Sequence, residues 1–230
     1  MKSYTIHLIR HGVTQGNLLG QYIGSTDSPL APQGAEHLRE LRVKHDYPTA
    51  QAYYTSPLTR CVQTMKILYP HVQPVVIEGF RECDFGDWEG KTAQELEENP
   101  DFARWVENGT SATPPNGESG AVFMQRVCFA FEKLVEDMMR SGTTSAVVVA
   151  HGGTIMTILS AYGIPKANFY DWMVENGCGY SLRITPGLWM RSMVAEVFAT
   201  IPAQQEETAD HTVIDLAREA ANRAYGKKDT

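Results

Sequence analysis

The chain has 230 residues, of which 43% are hydrophobic and 20% are charged, and its formal net charge is −7. This composition excludes a low-complexity disordered chain, a collagen and a small disulfide scaffold, and the length is sufficient to bury a large core. An acidic chain lacks the basic face of a broad nucleic-acid interface, so we expect no nucleic-acid partner. A small, locally positive pocket for an anionic substrate is still compatible with these values.

The cysteines and the apolar runs predict the cellular location of the protein. Cys61, Cys83, Cys128 and Cys178 lie far apart and form no C-x-x-C pair, which predicts reduced thiols and no zinc site. The apolar run at 6–9 is too short for a signal sequence, and no stretch approaches the roughly 18 apolar residues of a membrane span. We therefore expect a cytoplasmic protein that has no membrane association.

The first part of the chain alternates predicted strands and helices. A serine followed by a proline, Ser56-Pro57, is typical of a helix N-cap with proline at the first helical position. The glycines that follow the first strand predict irregular backbone. The predicted elements are a strand at 4–9, an irregular loop at 16–29, a helix at 32–45, a strand at 50–55, a helix from 56 to about 69 and a strand at 72–77.

The second part begins with an interruption of this pattern. Residues 79–117 lack a regular period and are interpreted as an insertion over one end of the sheet. The apolar centre of 144–150 is typical of a strand that is covered on both faces. The predicted elements are short helices at 92–98 and 101–107, a helix at 118–140, a strand at 144–150, a helix at 154–162, strands at 180–184 and 189–198, and a helix at 208–225.

Alternating strands and helices predict an α/β fold with a mostly parallel central sheet. We expect a single domain over 1–200 that contains the insertion, and a C-terminal helical extension over 201–230. Ligands of such sheets bind beyond the carboxyl ends of the strands. Three predicted strand ends lead into His11, Ser56 and His151, so the sequence predicts one shared site.

The residues that follow the first strand favour phosphate chemistry. Arg10-His11-Gly12 joins a fixed cation and an imidazole to a glycine that permits close backbone approach, and the planar guanidinium matches phosphate oxygens. One such pair is equally compatible with surface decoration. A second motif, His151-Gly152-Gly153, follows another predicted strand. Two such motifs favour a phosphate site over surface decoration.

Five ordered segments together resemble the histidine phosphatase superfamily, the phosphoglycerate-mutase-like proteins. The segments are Arg10-His11-Gly12 with Thr14 and Asn17, Ser56-Pro57-Leu58-Thr59-Arg60, the acid-bearing stretch 81–90, Pro115-Asn116-Gly117-Glu118-Ser119, and His151-Gly152. The resemblance covers roughly residues 4–185 and leaves the tail unmatched. It implies a three-layer α/β/α fold of the phosphoglycerate-mutase-like type.

The resemblance also implies the roles of individual residues. His11 would be the nucleophile that forms a phosphohistidine, and Glu82 the acid that protonates the leaving oxygen. Asp84 and Asp87 are alternative acids. The implied phosphate cradle consists of Arg10, Arg60 and His151, and the implied substrate-binding residues are Thr14, Asn17 and Gly152. Because the cations would neutralise the phosphate, we expect no metal ion and no cofactor.

Departures from the mutase pattern favour hydrolysis. Gly16 precedes Asn17 where mutases carry an aromatic residue, Val13 stands where the family often has Glu or Gln, and the acid lies in Glu82-Cys83-Asp84-Phe85-Gly86. Among phosphatases, the stretch Asp84-Phe85-Gly86-Asp87-Trp88-Glu89-Gly90 resembles the α-ribazole phosphatases and their broad-specificity relatives. We expect a histidine acid phosphatase-type phosphomonoesterase that acts on a small phosphate ester, with a homodimer as the expected assembly. The alternatives are a phosphoglycerate-type mutase and a non-catalytic phosphoryl-binding regulatory module.

Overall fold

A computed structural model describes residues 2–108 and 113–202. Its sheet has seven strands in the order β3-β2-β4-β1-β6-β7-β5. The pairs β1–β4, β2–β4, β2–β3 and β5–β7 are parallel, whereas β6 is antiparallel to both β1 and β7. The strands are β1 Tyr4–Arg10, β2 Ala52–Thr55, β3 Val75–Val76, β4 Ser145–Ala150, β5 Gly163–Ile164, β6 Gly179–Ile184 and β7 Ala195–Ile201.

Eight α-helices accompany the sheet within these residues. The longest, α6, begins where the Ser119 hydroxyl accepts a hydrogen bond from the Val122 amide, and it ends at Gly142, whose φ of 77° suits glycine. None of the described helices has both the length and the hydropathy needed to cross a bilayer. The helices are α1 Gln15–Leu18, α2 Pro32–Lys44, α3 Thr59–Leu68, α4 Ala93–Leu96, α5 Pro100–Asn108, α6 Gly120–Ser141, α7 Gly152–Tyr162 and α8 Pro186–Ser192.

Helices cover both faces of the sheet. Alternate residues of β1 and β4 point to opposite sides: Leu8 and Val148 belong to the cluster under α6 and α7, and Ile9 and Val149 belong to the cluster with α3. Residues 146–150 of β4 are fully buried, as expected for a strand with helices on both faces. The predicted three-layer α/β/α fold with a mostly parallel sheet is confirmed.

The topology brings the candidate residues to one edge. β1, β4 and β2 are parallel neighbours in which Arg10 pairs with Ala150 and Thr55 pairs with Val149. Because these residues end their strands, the segments that begin at His11, Ser56 and His151 all leave the same edge of the sheet. The position of the site thus follows from strand order and direction.

The predicted insertion contains a small apolar cluster of its own. Trp88, Leu96 and Phe102 are buried together, and the ring of Trp105 lies 5.6 Å from that of Trp88. The predicted short helices correspond to α4 and α5. This cluster packs the described part of the insertion around its own buried aromatic side chains. The domain boundaries themselves stay predictions.

The prediction that a helix begins at Ser56-Pro57 is wrong. Helix α3 begins at Thr59, and Leu58 occupies the cap position. The carboxylate of Asp27 accepts hydrogen bonds from the Thr59 amide at 2.7 Å and the Thr59 hydroxyl at 2.8 Å. A distant residue therefore supplies the cap, while the Ser56 hydroxyl lies 2.7 Å from His151.

Other element boundaries also differ from the predictions. The strand predicted at 189–198 is divided between α8 and β7, because Pro186 lies in the first turn of a helix whose Trp189 packs against Phe131 and Tyr162. The loop predicted at 16–29 begins with α1, and the strand predicted at 72–77 is only two residues long. The helix predicted at 208–225 lies outside the described residues.

Candidate active site

His11 follows β1 with its imidazole buried and oriented. Its backbone amide donates to the Ala150 carbonyl at 3.0 Å, which joins it to the end of β4. Its Nδ1 lies 2.7 Å from the Gly12 carbonyl oxygen, which can only accept, so Nδ1 carries the proton and Nε2 holds the lone pair. Burial, followed by the cations of Arg60 and Arg10, lowers the pKa of His11 well below 6.5. A neutral imidazole with a free Nε2 lone pair can act as a nucleophile.

His151 and Arg60 form a buried pair beside it. The two histidine rings lie 5.2 Å apart in an edge-to-face arrangement. Arg60 Nε donates to His151 Nδ1 at 3.3 Å, so the proton of His151 is on Nε2, which lies 2.7 Å from the Ser56 hydroxyl. Burial, followed by the neighbouring His11 and the arginines, lowers the pKa of His151 well below 6.5. Both histidines are therefore neutral and have defined tautomers.

Arg10 lies over the start of helix α7. Its Nη1 donates to the Val174 carbonyl at 2.6 Å, and its Nε is buried without a hydrogen-bond partner in the described part of the chain. A Cβ at Gly152 would lie 3.4 Å from this Nε, so the guanidinium packs directly on the backbone at Gly152. The Gly152 amide is among the first N–H groups of α7, which have no acceptor within the helix. Unpaired donors from a cation and a helix N-terminus suit an anionic ligand.

The other predicted substrate-binding residues form the cap of α1. The Thr14 hydroxyl accepts from the Asn17 amide at 3.3 Å, and Asn17 Oδ1 accepts from the Thr14 amide at 3.0 Å. Asn176 Nδ2 donates to the His11 carbonyl at 2.9 Å. The capping contacts use the Asn17 oxygen and orient its amide nitrogen, which is the atom able to donate to a phosphate.

Glu82 reaches the same edge from the insertion. Its Oε2 accepts from the Gly153 amide at 2.9 Å and its Oε1 from the Cys83 amide at 3.0 Å. Burial raises the pKa of Glu82 above its ordinary value of 4.5, although these two hydrogen bonds and the nearby arginines oppose that shift. A carboxyl group with a raised pKa beside cationic donors can give up a proton during a reaction.

The alternative acids occupy other surroundings. Asp84 Oδ1 accepts from the Gly86 amide at 2.8 Å, and both carboxylate oxygens of Asp87 lie 3.1 Å from Asn116 Nδ2. Asp87 is exposed. Of the three acids, Glu82 is the one in contact with the N-terminus of α7, at the motif that carries His151.

A cavity of about 420 Å³ adjoins Glu82 on the side of the insertion. Arg126, in its wall, binds Glu118 through Nη2 at 2.6 Å and Nε at 3.0 Å. Glu82 lines this cavity and also accepts from the Gly153 amide, so its carboxyl group contacts both the cavity and the N-terminus of α7. The residues lining the cavity are Ser25, Arg81, Glu82, Asp84, Asn116, Gly117, Glu118 and Arg126.

The structure brings the predicted catalytic and substrate-binding residues to one edge, and three further residues, to which the sequence assigned no role, support them. The Ser56 hydroxyl lies 2.7 Å from Nε2 of His151, Asn176 donates to the His11 carbonyl, and Glu89 accepts hydrogen bonds from the backbone at 24–26. In the described residues no three or more His, Cys, Asp and Glu side chains are grouped so as to hold a metal ion. Donors here come from arginine and backbone N–H groups, which suit an anion.

Comparisons with known proteins agree with this geometry. The family model described as "Histidine phosphatase superfamily (branch 1)" matches residues 6–196. The Adenosylcobalamin/alpha-ribazole phosphatase of Escherichia coli (strain K12) is 30% identical over 182 residues, covering 77% of this chain and 88% of that protein. Phosphoserine phosphatase 1 of Hydrogenobacter thermophilus is 28% identical over 174 residues, covering 74% of this chain and 81% of that protein.

Solved structures lead to the same group. The crystal structure of the alpha-ribazole phosphatase from Shigella flexneri has a TM-score of 0.73 and 26% identity, and it covers 89% of this chain and 100% of that chain. Phosphoglycerate mutases also match, at 25% and 28% identity, and the mutase alternative is less supported than phosphatase function. By its fold, its motifs and these similarities, the chain belongs to the histidine phosphatase superfamily, branch 1.

Proposed function

We propose that this chain hydrolyses a small phosphomonoester through a covalent phosphohistidine on Nε2 of His11. The observation that carries the proposal is the 2.7 Å contact of His11 Nδ1 with the Gly12 carbonyl, which leaves the Nε2 lone pair free in a neutral ring. In the first step Nε2 attacks phosphorus, the P–O bond to the alcohol breaks, and Glu82 donates its proton to the departing oxygen. Arg10, Arg60 and the Gly152 amide stabilise the charge on the other phosphate oxygens.

The second step regenerates the histidine. A water molecule gives its proton to the Glu82 carboxylate and attacks phosphorus, the P–N bond breaks, and inorganic phosphate leaves. Glu82 thus alternates between acid and base, as its contact with both the cavity and the N-terminus of α7 permits. This cycle needs no redox partner, and the arginines supply the positive charge. The finer assignment to the histidine acid phosphatase type belongs to this proposal, as do a cytoplasmic location and a homodimer.

The intermediate can be trapped by rapid quenching with a ³²P-labelled ester. Protein quenched in alkali should retain label and protein quenched in acid should lose it, because phosphohistidine is labile to acid. His11→Ala should neither be labelled nor turn over the ester, whereas His37→Ala, which changes an exposed histidine of α2, should behave like the unchanged chain. Stable label on the His11→Ala variant would place the nucleophile elsewhere. A requirement for a bisphosphate activator would favour the mutase alternative. Binding of the ester without turnover would favour the regulatory module.

We further propose that the leaving group is an uncharged alcohol of nucleoside size, such as the riboside of α-ribazole phosphate. A volume of about 420 Å³ lies within the range of small-molecule sites. Its described wall carries two cations and three acidic side chains. Arg126 is paired with Glu118 and Arg81 lies 3.5 Å from Glu78, while Asp84 and Glu82 add further acidic groups. A carboxylate on the leaving group would find little compensation there.

A panel of esters tests this specificity. The kcat/KM for nucleoside-like and sugar monophosphates should exceed that for 3-phosphoglycerate, whose leaving group bears a carboxylate. Phosphoserine is the informative intermediate case, since its leaving group carries both an ammonium and a carboxylate. Equal kcat/KM values for 3-phosphoglycerate and the neutral esters would contradict the charge argument.

A further inference from the structure

The carboxylate of Glu89 binds a row of backbone amides outside the proposed catalytic group. Oε1 accepts from the Ser25 amide at 2.9 Å and the Phe85 amide at 3.1 Å. Oε2 accepts from the Thr26 amide at 3.3 Å, and the Gly24 amide lies 3.0 Å from both oxygens. Successive N–H groups that converge in this way form an anion-binding concavity, which here holds a side chain of the same chain. One carboxylate therefore organises residues 24–26.

The carbonyl groups of the same loop hold Arg60. Arg60 Nη2 donates to the Gly24 carbonyl at 2.7 Å and Nη1 donates to the Thr26 carbonyl at 2.9 Å. Its remaining nitrogen, Nε, contacts His151. Gly24 and Thr26 thus give their N–H groups to Glu89 and their C=O groups to Arg60. The orientation of the guanidinium depends on a loop whose own position is set by Glu89.

The Phe85 amide connects Glu89 to the segment of the proposed acid. Phe85 lies three residues after Glu82 in the chain, and Gly24 packs directly on the backbone between them. A Cβ at Gly24 would overlap the Cys83 carbonyl oxygen and would lie 2.8 Å from Glu89 Oε1. The loop that holds the arginine and the segment that holds the acid therefore meet at one carboxylate.

We infer that Glu89 is a positioning residue that sets Arg60 relative to Glu82 for phosphate binding. It acts through the loop at 24–26 and does not itself contact the substrate. This inference rests on the proposed function, because Arg60 is taken as part of the phosphate cradle. If Glu89 only stabilised the fold, its substitution would lower the amount of folded protein but would leave the phosphate affinity of the folded fraction unchanged.

The test measures binding of inorganic phosphate by calorimetry, with thermal unfolding to establish the folded fraction. In Glu89→Gln one oxygen becomes an NH₂ donor that faces backbone N–H groups, so the loop and Arg60 should lose their defined position. We expect the Kd for phosphate to rise roughly tenfold, the scale of one weakened charge-assisted hydrogen bond. In an Arg60→Lys background the same change should raise Kd by less than about twofold, because lysine lacks the two contacts with the loop.

A matched control is Glu95→Gln. Glu95 also accepts a backbone amide within the insertion, that of Thr92 at 2.8 Å, but it only caps the exposed helix α4. Its phosphate Kd should equal that of the unchanged chain. If Glu89→Gln does not fold, Glu89→Asp, which retains the charge on a side chain one methylene shorter, should give a smaller rise in Kd that again depends on Arg60.

Each result decides the inference. An unchanged Kd in the folded Glu89 variant, or an equal rise in the Arg60→Lys background, overturns it. A chain that binds phosphate but turns over no ester contradicts the proposed function, while the Kd comparison still decides the role of Glu89. A chain that binds no phosphate overturns both.

Discussion

His11 and Glu82 have pKa shifts in opposite directions, and the proposed first step needs both. Burial lowers the pKa of His11, which keeps the nucleophile neutral, and burial raises the pKa of Glu82, which keeps the acid protonated to higher pH. The kcat/KM for an alkyl phosphate should therefore fall at low pH as His11 gains a proton and at high pH as Glu82 loses one.

The Glu82→Gln variant separates the low-pH and the high-pH decreases in kcat/KM. Activity on an alkyl phosphate should drop by about 10²–10⁴-fold, the usual contribution of a general acid. The decrease at high pH should disappear, while the decrease at low pH should remain. Because both proteins use the same ester, its own ionisation cancels in the ratio of their kcat/KM values. A high-pH limb that persists in Glu82→Gln would assign it to another group, and Asp84 and Asp87 would be the next acids to change.

At the residue scale, short motifs predict a set of residues that the structure brings together, but they do not predict the residues that support them. Arg10, His11 and His151 lie within a few residues of predicted strand ends, so local patterns located them. The supports act over long sequence distances: the Ser56 hydroxyl contacts Nε2 of His151, and Glu89 binds a loop more than sixty residues earlier. The neutral His151 also differs from the charged ligand that the motifs implied, since both of its nitrogens contact protein. Its role as a direct phosphate ligand stays a prediction.

At the element scale, helix α7 begins with two glycines, and the absence of a side chain at Gly153 leaves room for the carboxyl group of Glu82. The Gly153 amide donates to Glu82, and a Cβ at Gly153 would lie 2.5 Å from Glu82 Oε1. In Gly153→Ala the carboxyl group should be displaced, and kcat on an alkyl phosphate should fall by as much as about 10²–10⁴-fold. Because alanine favours helices over glycine, the unfolding temperature should not fall in parallel.

Gly187→Ala provides the matched control for this substitution. Gly187 lies in helix α8, and a Cβ there would meet nothing within 4 Å. Both its activity and its stability should stay near those of the unchanged chain. Equal kcat values for Gly153→Ala and Gly187→Ala would show that the position of Glu82 tolerates the added methyl group.

Element boundaries were least predictable where a distant side chain decided them. The N-cap prediction at Ser56 relied on a sound local rule, but Asp27 binds the Thr59 amide and the Ser56 hydroxyl lies against His151. Trp189 was assigned to a strand by its apolar neighbours, whereas contacts with Phe131 and Tyr162 hold it on a helix. Such tertiary preferences are not visible in a local pattern.

At the scale of the whole molecule, the fold was predictable because periodicity and connection type restrict the topology. A run of apolar residues at 144–150 predicted a covered strand, and β4 is indeed fully buried over 146–150. Parallel order then required the ends of β1, β2 and β4 to share an edge. The place of β6 beside β1 and the small core of the insertion were not predictable in the same way, since they depend on packing between distant segments.

The two buried histidines should also make the stability of the whole molecule depend on pH. In the unfolded chain their imidazoles take up protons near the ordinary pKa of 6.5, but in the folded chain burial lowers the pKa of both His11 and His151 well below that value. Below pH 6.5 the unfolded state therefore binds more protons than the folded state. The free energy of unfolding should decrease as the pH falls, by up to about 1.4 kcal/mol per pH unit for each imidazole.

Urea unfolding at several values between pH 7 and pH 5 measures this dependence, and His11→Gln removes one of its sources. The raised pKa of Glu82 acts in the opposite direction, since that group favours the folded state as the pH falls, but it is present in both proteins and cancels in their difference. The stability of the unchanged chain relative to His11→Gln should therefore decline as the pH falls from 6.5. His37→Gln, at an exposed position of α2, should show no such trend. A difference between the unchanged chain and His11→Gln that is constant over this range would mean that His11 titrates alike in the folded and unfolded states, and the neutral nucleophile would lose its physical basis.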